Sequence, residues 1–412
     1  MEEATLKQSV PDHVGPEHVF EFDIYEDAQI KRDLHAAYAR LQREAPPVFY
    51  TPANGGHWLV TRMDIMAEIA RDYEHFSTRM LQIPAIEGAP LLLPLNVDPP
   101  EHTLYRQVLA PFFGPRSISA MEADVTAFAK EIVASVAGRG ECDFVSDVAA
   151  PFPVTVFMRM MGFPTERLHD FRQLAERYFN AQGMGAAEVG AVSQQIVGEM
   201  SALIESRQKT KDTDPQEDLI HHLINAKING EPVPQDKLLS MCFLLFLGGL
   251  DTVTNAMSFS IRNLATRPEI QKRLIADPSV LPAFLEESLR QYGVVNTPRL
   301  VVKDCERFGV KFRKGDMLLC PLPIAGWDDS KNPEPEKFDL DRAKRNLLTF
   351  STGPHLCLGH FLARMEMRLL FKEWVEQIGE FSLAKGFEPS YRAGMVMSLE
   401  SLPLVWKAKT QH

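Results

Sequence analysis

Residues 350–359 read FSTGPHLCLG, and the cysteine inside them decides how the rest of the chain is read. Glycines stand four residues before Cys357 and two after it. The next segment, HFLARMEMRLLFKEW (360–374), repeats Phe361, Leu362, Met365, Leu369 and Leu370 at near-helical spacing. The pattern predicts a tight turn feeding the start of a helix. Backbone N–H groups at a helix start lack intrahelical acceptors, so they favour a thiolate over a thiol and suit a soft metal ligand. A lone cysteine is more often a small buried hydrophobe. His355, Cys357 and His360 also suggest zinc, but a closed zinc site needs four ligands and no second cluster supplies the rest, so zinc is the weaker reading.

Working outward, the 412 residues are 45% apolar and 24% charged, an ordinary globular profile with enough length for a large core. A net charge of −11 argues against a broad nucleic-acid-binding surface. The N-terminus has neither a basic start nor an apolar stretch, and no apolar run approaches the ~18 residues a bilayer crossing needs, so a cytoplasmic location is expected. The five cysteines (Cys142, Cys242, Cys305, Cys320 and Cys357) are scattered without a Cys-x-x-Cys pair, which argues against a disulfide framework.

Helical periodicity marks HDFRQLAERYF (169–179), QQIVGEMSALIESR (194–207) and EDLIHHLINA (217–226), with a polar loop, QKTKDTDPQED (208–218), between the last two. Strand-like pieces are HWLVT (57–61), DMLLCPL (316–322) and LPLVW (402–406). Residues 321–346 have four prolines and little periodicity, which predicts a long ordered loop before the cysteine. The stretch MCFLLFLGGLDT (241–252) is apolar until two glycines interrupt it. Two helix-interior glycines cost ~1 kcal/mol each, and Thr252 lies four residues after Gly248, where its hydroxyl can bond the Gly248 carbonyl.

Phe350, Gly353, His355, Cys357 and Gly359 resemble, position by position, the haem-binding signature Phe-x-x-Gly-x-(His/Arg)-x-Cys-x-Gly of the cytochrome P450 family. The resemblance runs from VFEFDIYED (19–27) to LPLVW (402–406). GGLDTVTNAMSF (248–259) and HLCLGHFLAR (355–364) are similar to the bacterial class I, camphor-hydroxylating subfamily in particular. It implies a mainly α fold with small β-sheets, one domain over 19–412 after an N-terminal tail (1–18), a long helix over the distal haem face, and a Cys-ligand loop on the proximal face. The implied cofactor is haem b, with Cys357 as the axial ligand to iron.

The same resemblance assigns the remaining residues. Gly248 leaves room beside the iron, and the acid–alcohol pair Asp251–Thr252 delivers the protons that dioxygen activation consumes. His102 and Arg106, on a helix start expected to be capped by Asp98, join Arg299 and His355 around the haem propionates. Glu287 and Arg290 match the family's Glu-x-x-Arg pair, but Lys337 stands where its third partner is usually arginine. Arg62, Arg106, Lys344, Arg345 and Arg364 are the expected docking cations for an acidic [2Fe–2S] ferredoxin, itself reduced by an NADH-dependent flavin reductase.

The subfamily holds camphor's ketone with a tyrosine hydroxyl, and no tyrosine stands between Ser77 and Asp98, where Pro90 is nearest to that place. Thr297 also replaces the subfamily's aspartate. The expected pocket lining is therefore apolar: Leu92, Leu244, Leu247, Val295, Met395 and Val396. That implies hydroxylation of a terpenoid or norisoprenoid such as an ionone, with a camphor-type ketone as the alternative. A haem-thiolate isomerase or peroxygenase, which needs no external electrons, competes less well because such members commonly lack the acid–alcohol pair. A monomer is expected, with a mobile lid near 208–218.

Overall fold

The computed structural model describes residues 9–85, 91–181, 186–209 and 219–408; most of the expected lid loop and Pro90 lie outside them. Nine helices carry the argument: α1 (Leu34–Glu44), α2 (Glu101–Phe113), α3 (Glu122–Ala137), α4 (Pro151–Met161), α5 (Leu168–Ala181), α6 (Ala186–Lys209), α7 (Gln235–Ala265), α8 (Leu281–Gln291) and α9 (His360–Gln377). The periodic stretches at 169–179 and 194–207 fall in α5 and α6, and the segment after Cys357 forms α9.

Helix α7 has 31 residues and so runs about 46 Å. It is apolar nearly all round, so it lies in the core, packed by α4 and α6 along its length and by α8 and α9 further on. By length and composition it is long and apolar enough to cross a bilayer, contrary to the sequence expectation, but half of its apolar window is buried inside the fold. Four of its hydroxyls are satisfied one turn back: Thr252, Thr254, Ser258 and Ser260 donate to the carbonyls of Gly248, Leu250, Thr254 and Ala256 at 3.0, 2.9, 2.8 and 2.6 Å.

Five strands form the main sheet: β1 (Val48–Thr51), β2 (His57–Val60), β3 (Phe76–Ser77), β4 (Asn296–Val301) and β5 (Met317–Pro321), in the order β1-β2-β5-β4-β3. Only β2 and β5 pair in parallel, with Leu318 opposite Trp58. A smaller sheet joins Glu141–Asp143, Phe381–Leu383 and Pro403–Trp406. Trp374 of α9 fixes that sheet to the helices, packing edge-on against Phe144, Phe381 and Trp406 at 4.9, 5.6 and 5.7 Å. The expected N-terminal tail is tied down where it is described: Val14 is buried and His13 Nε2 lies 3.0 Å from Asp316 Oδ2.

The irregular segment 326–350 is held by side chains because it has no ladder to satisfy its backbone. Asn332 Nδ2 donates to the Asn346 carbonyl at 2.9 Å, and Asn346 N–H returns a bond to Asn332 Oδ1 at 3.0 Å. Asp328, fully buried, accepts from the Met63 N–H at 2.9 Å. At Gly326 a Cβ would stand 1.7 Å from the Arg290 carbonyl oxygen, so only glycine lets this segment close over α8.

Candidate active site

The cysteine loop is built by its backbone. Gly353 has φ +71°, and a Cβ there would meet the Ala70 carbonyl oxygen at 2.9 Å, so both conformation and space demand glycine. The Cys357 N–H donates to the Phe350 carbonyl at 2.8 Å, and the residue is exposed at the mouth of the turn. Protein packed around the sulfur pushes the thiol pKa up; the Gly359 N–H, Arg106 and Arg364 oppose that push without cancelling it. The expected amide support of the sulfur is thus present, but alone it does not create a thiolate, which leaves that work to a bound cation.

Four cationic or potentially cationic side chains meet beside this loop. His102 of α2 is buried, neither ring nitrogen has a partner, and its ring lies 4.2 Å from that of His355. Burial and then Arg106 push His102 down to about 4; burial, His102, Arg299 and Arg106 push His355 down to about 3. Burial likewise lowers Arg106 and Arg299. Arg299 of β4 is only 5% exposed and donates to the neighbouring Pro298 carbonyl at 2.7 Å, while Arg106 donates to the Leu356 carbonyl. Among the described residues none of the four has a carboxylate hydrogen-bond partner. A partnerless His102 ring crowded by three further potential cations that no carboxylate answers calls for anions, and two carboxylates beside a soft sulfur ligand are what haem b presents. These residues fit the group.

Asp98 does not cap α2 with its side chain. Pro100 occupies the cap, and the Asp98 carboxylate turns back to Ser77 Oγ (2.5 Å) and the Thr78 N–H (3.0 Å).

On the other side of the site, α7 turns one face to open space. Leu244 and Leu247 are only half-buried and Gly248 is exposed, whereas Cys242 and Phe246 on another face have no exposed surface, and Met241, two turns before Gly248, closes the buried end of the stripe. A Cβ at Gly248 or Gly249 would meet nothing within 4 Å. Asp251 points elsewhere: its Oδ1 accepts from Asn255 Nδ2 at 2.9 Å and lies 4.0 Å from Arg392 Nη2. Burial raises the Asp251 pKa, with Arg392 and then Asn255 opposing.

Three segments bring the expected pocket residues to two places. Leu92, buried, belongs to a loop fastened to α7, where Ser240 Oγ accepts from the Leu93 N–H at 3.0 Å and donates to the Leu91 carbonyl at 2.6 Å. Val295 and Val396 bridge directly, and the Asn296 N–H donates to the Met395 carbonyl at 2.8 Å. Thr297 spends its hydroxyl on the Cys320 carbonyl at 3.1 Å.

The Glu287–Arg290 pair is fully buried at 2.7 Å. Lys337 is not its third member: its ammonium turns outward to Asp339 at 3.3 Å, and Arg342 fills the place, with Nε 3.1 Å from Glu287 Oε1. The sequence offered no local signal for Arg342. Arg345, expected on the docking face, also belongs here, 3.2 Å from Glu287 Oε2. Two other expected docking cations are neutralised, Arg62 by Asp328 and Asp329 (3.5 and 3.3 Å) and Arg364 by Glu286 at 2.5 Å, with its guanidinium 4.5 Å above the Phe350 ring. Lys344 is exposed. Arg71, not foreseen, is exposed against the cysteine loop, with Nη2 3.1 Å from Thr352 Oγ1.

The cytochrome P450 family matches residues 121–384. A relative described as "Probable cytochrome P450 127A1", from Sinorhizobium fredii, is 32% identical over 409 residues, 96% of this chain and 97% of its own. Solved structures of CYP101J2 and CYP101C1 superpose with TM-scores of 0.89 and 0.90 at 33% and 31% identity, each match covering 97% of this chain and 100% of the other. With this sulfur loop and these cations beside it, the chain belongs to the cytochrome P450 family, in its bacterial camphor-hydroxylase-like branch, and is a haem b monooxygenase.

Proposed function

We propose that the protein hydroxylates a small, weakly polar terpenoid or norisoprenoid of ionone type: substrate, O2, two electrons and two protons give an alcohol and water. We further propose that the electrons come from a [2Fe–2S] ferredoxin reduced by an NADH-dependent flavin reductase, and that the protein works as a cytoplasmic monomer. The observation that carries the substrate reading is the apolar face of α7, Leu244–Leu247–Gly248, open beside the cofactor site with no spare hydroxyl among the expected lining residues. Leu92, Val295, Met395 and Val396 extend that lining, and the Thr297 hydroxyl is already used. Desolvating a ketone without a donor costs affinity, so such a pocket prefers ligands with more apolar surface per polar atom.

Haem b held by Cys357 would supply the binding and activation of O2, with thiolate donation favouring O–O cleavage. His102, Arg106, Arg299 and His355 would hold its propionates, giving the His102 ring the partner it lacks and the two arginines the carboxylates they lack. Asp251 and Thr252 bring protons: the Thr252 hydroxyl already donates to the Gly248 carbonyl at 3.0 Å, so its oxygen remains free to accept a proton-bearing group. Asp251, on a different face, exchanges protons with water outside the pocket.

The test is the visible spectrum of the ferric protein titrated with camphor, β-ionone and a medium-chain fatty acid. A strong low- to high-spin Soret shift with β-ionone and a weak one with camphor is expected. A stronger response to camphor would overturn the apolar-pocket reading.

A further inference from the structure

Arg392 is the one basic side chain that ion-pairs with Asp251 among the described residues, with Nη2 4.0 Å from Oδ1. That distance is too long for a hydrogen bond and short enough for a strong charge interaction. The pair is asymmetric: the Asp251 side chain is 17% exposed and that of Arg392 is 39% exposed, so the carboxylate is the more enclosed partner.

Arg392 is also tied to the pocket. It ends the first strand of a hairpin, Tyr391–Arg392 paired with Ser398–Leu399, whose connecting residues include Met395 and Val396. Those residues are bonded across to the segment 294–296: Asn296 N–H to the Met395 carbonyl and Met397 N–H to the Val294 carbonyl, both at 2.8 Å. The hairpin is held to α7 as well, because Tyr391 stacks on Phe259 (6.2 Å, 13°) and Arg262 lies 5.6 Å over the Tyr391 ring. Phe259 is eight residues beyond Asp251 on the same helix, so the reach from Arg392 to the acid is set by the hairpin's seat.

We propose that Arg392 is a positioning residue for the Asp251 carboxylate, joining the proton-handling acid on α7 to the strand segment that lines the substrate pocket. This rests on the proton-delivery role given to Asp251 above. Without Arg392, Asp251 keeps Asn255 as its described donor and loses the charge that orients it outward. A ligand pressing on Met395 and Val396 acts on the same six-residue segment that carries the cation, which ties pocket occupancy to the state of the acid.

The experiment compares Arg392→Met, Arg392→Lys and Asp251→Asn in the haem-loaded protein with β-ionone. Arg392→Met is expected to lower product formed per NADH and to slow hydroxylation several-fold. The substrate-induced Soret shift should be unchanged, and Arg392→Lys should recover most of the rate. Infrared difference spectra of ferric Arg392→Met against wild type should gain a carboxyl band that vanishes when Asp251→Asn is added. Wild-type rates in Arg392→Met with slow Asp251→Asn would overturn this proposal alone. Loss of the Soret response without rescue by lysine would reduce Arg392 to a structural part and also overturn it. Wild-type behaviour in Asp251→Asn would remove the proton role itself, and this inference with it.

Discussion

Glu287 has no exposed surface, yet its carboxyl sits below the usual carboxylate range. Burial alone would raise it; the Arg290 guanidinium, the Asp339 N–H and Arg342 together outweigh burial. Removing one partner of such a buried charge typically costs 3–5 kcal/mol, because the charge stays behind. A folded pKa below the unfolded value gives stability that is present above the unfolded pKa of about 4.3 and lost as pH falls through the lowered one. Arg342→Met should therefore raise the midpoint of acid unfolding, followed by circular dichroism, and destabilise the protein by about 3 kcal/mol. Lys337→Met, with its half-exposed pair to Asp339, should leave both nearly unchanged; equal effects in the two variants would return the third place to Lys337. The sequence misleads here for a definite reason. Arg342 stands 55 residues from Glu287, and which cation of an irregular segment reaches α8 depends on the path of that segment, which no local pattern encodes.

Elements were legible where their signal is local. HWLVT, DMLLCPL and LPLVW coincide with β2, β5 and Pro403–Trp406 because a short apolar run bounded by polar or turn residues is read within a few residues. The pairing of β3 with β4, Ser77 opposite Leu300, joins positions far apart in the chain and left no trace. Asp98 failed as a cap because two prolines separate it from the first helical turn, leaving its carboxylate free to bind β3 instead. In α7 the glycine pair was legible as an anomaly, and its energetics can be checked. A Cβ at Gly248 meets no atom within 4 Å, so Gly248→Ala should gain ~1 kcal/mol of helix stability and raise Tm by about 1 °C. If that open space borders the proposed pocket, hydroxylation should fall while Tm rises, a trade of function for stability. A variant that is both more stable and fully active would show that this space has no part in the reaction.

At the scale of the whole molecule, a net charge of −11 would repel the proposed acidic ferredoxin, so its docking would require a local patch that overcomes the average field. The sequence placed five cations there, but arginines in a fold are mostly engaged: Arg345 belongs to the buried network, and Arg62 and Arg364 have acids against them. Around the cysteine loop the exposed surface is instead Arg71, with Arg106 beside the loop and two apolar side chains, Leu356 and Phe361, 38% and 40% exposed. The acids nearest Arg71 along the chain are paired elsewhere, Glu68 and Asp72 with Arg307 at 3.0 and 3.2 Å and Glu74 with Lys303 at 3.8 Å. An apolar centre with a cationic rim suits a transient partner, whose encounter rate is set by charge and falls with salt. Arg71→Glu should therefore slow ferredoxin-driven reduction several-fold at low ionic strength, with the difference shrinking as the Debye length drops from ~30 Å at 0.01 M to ~10 Å at 0.1 M. Stopped-flow traces of haem reduction read this directly, and the substrate-induced Soret shift should stay as in wild type because Arg71 lies outside the pocket. Equal reduction rates for Arg71→Glu and wild type at every salt concentration would move the docking face away from the cysteine loop.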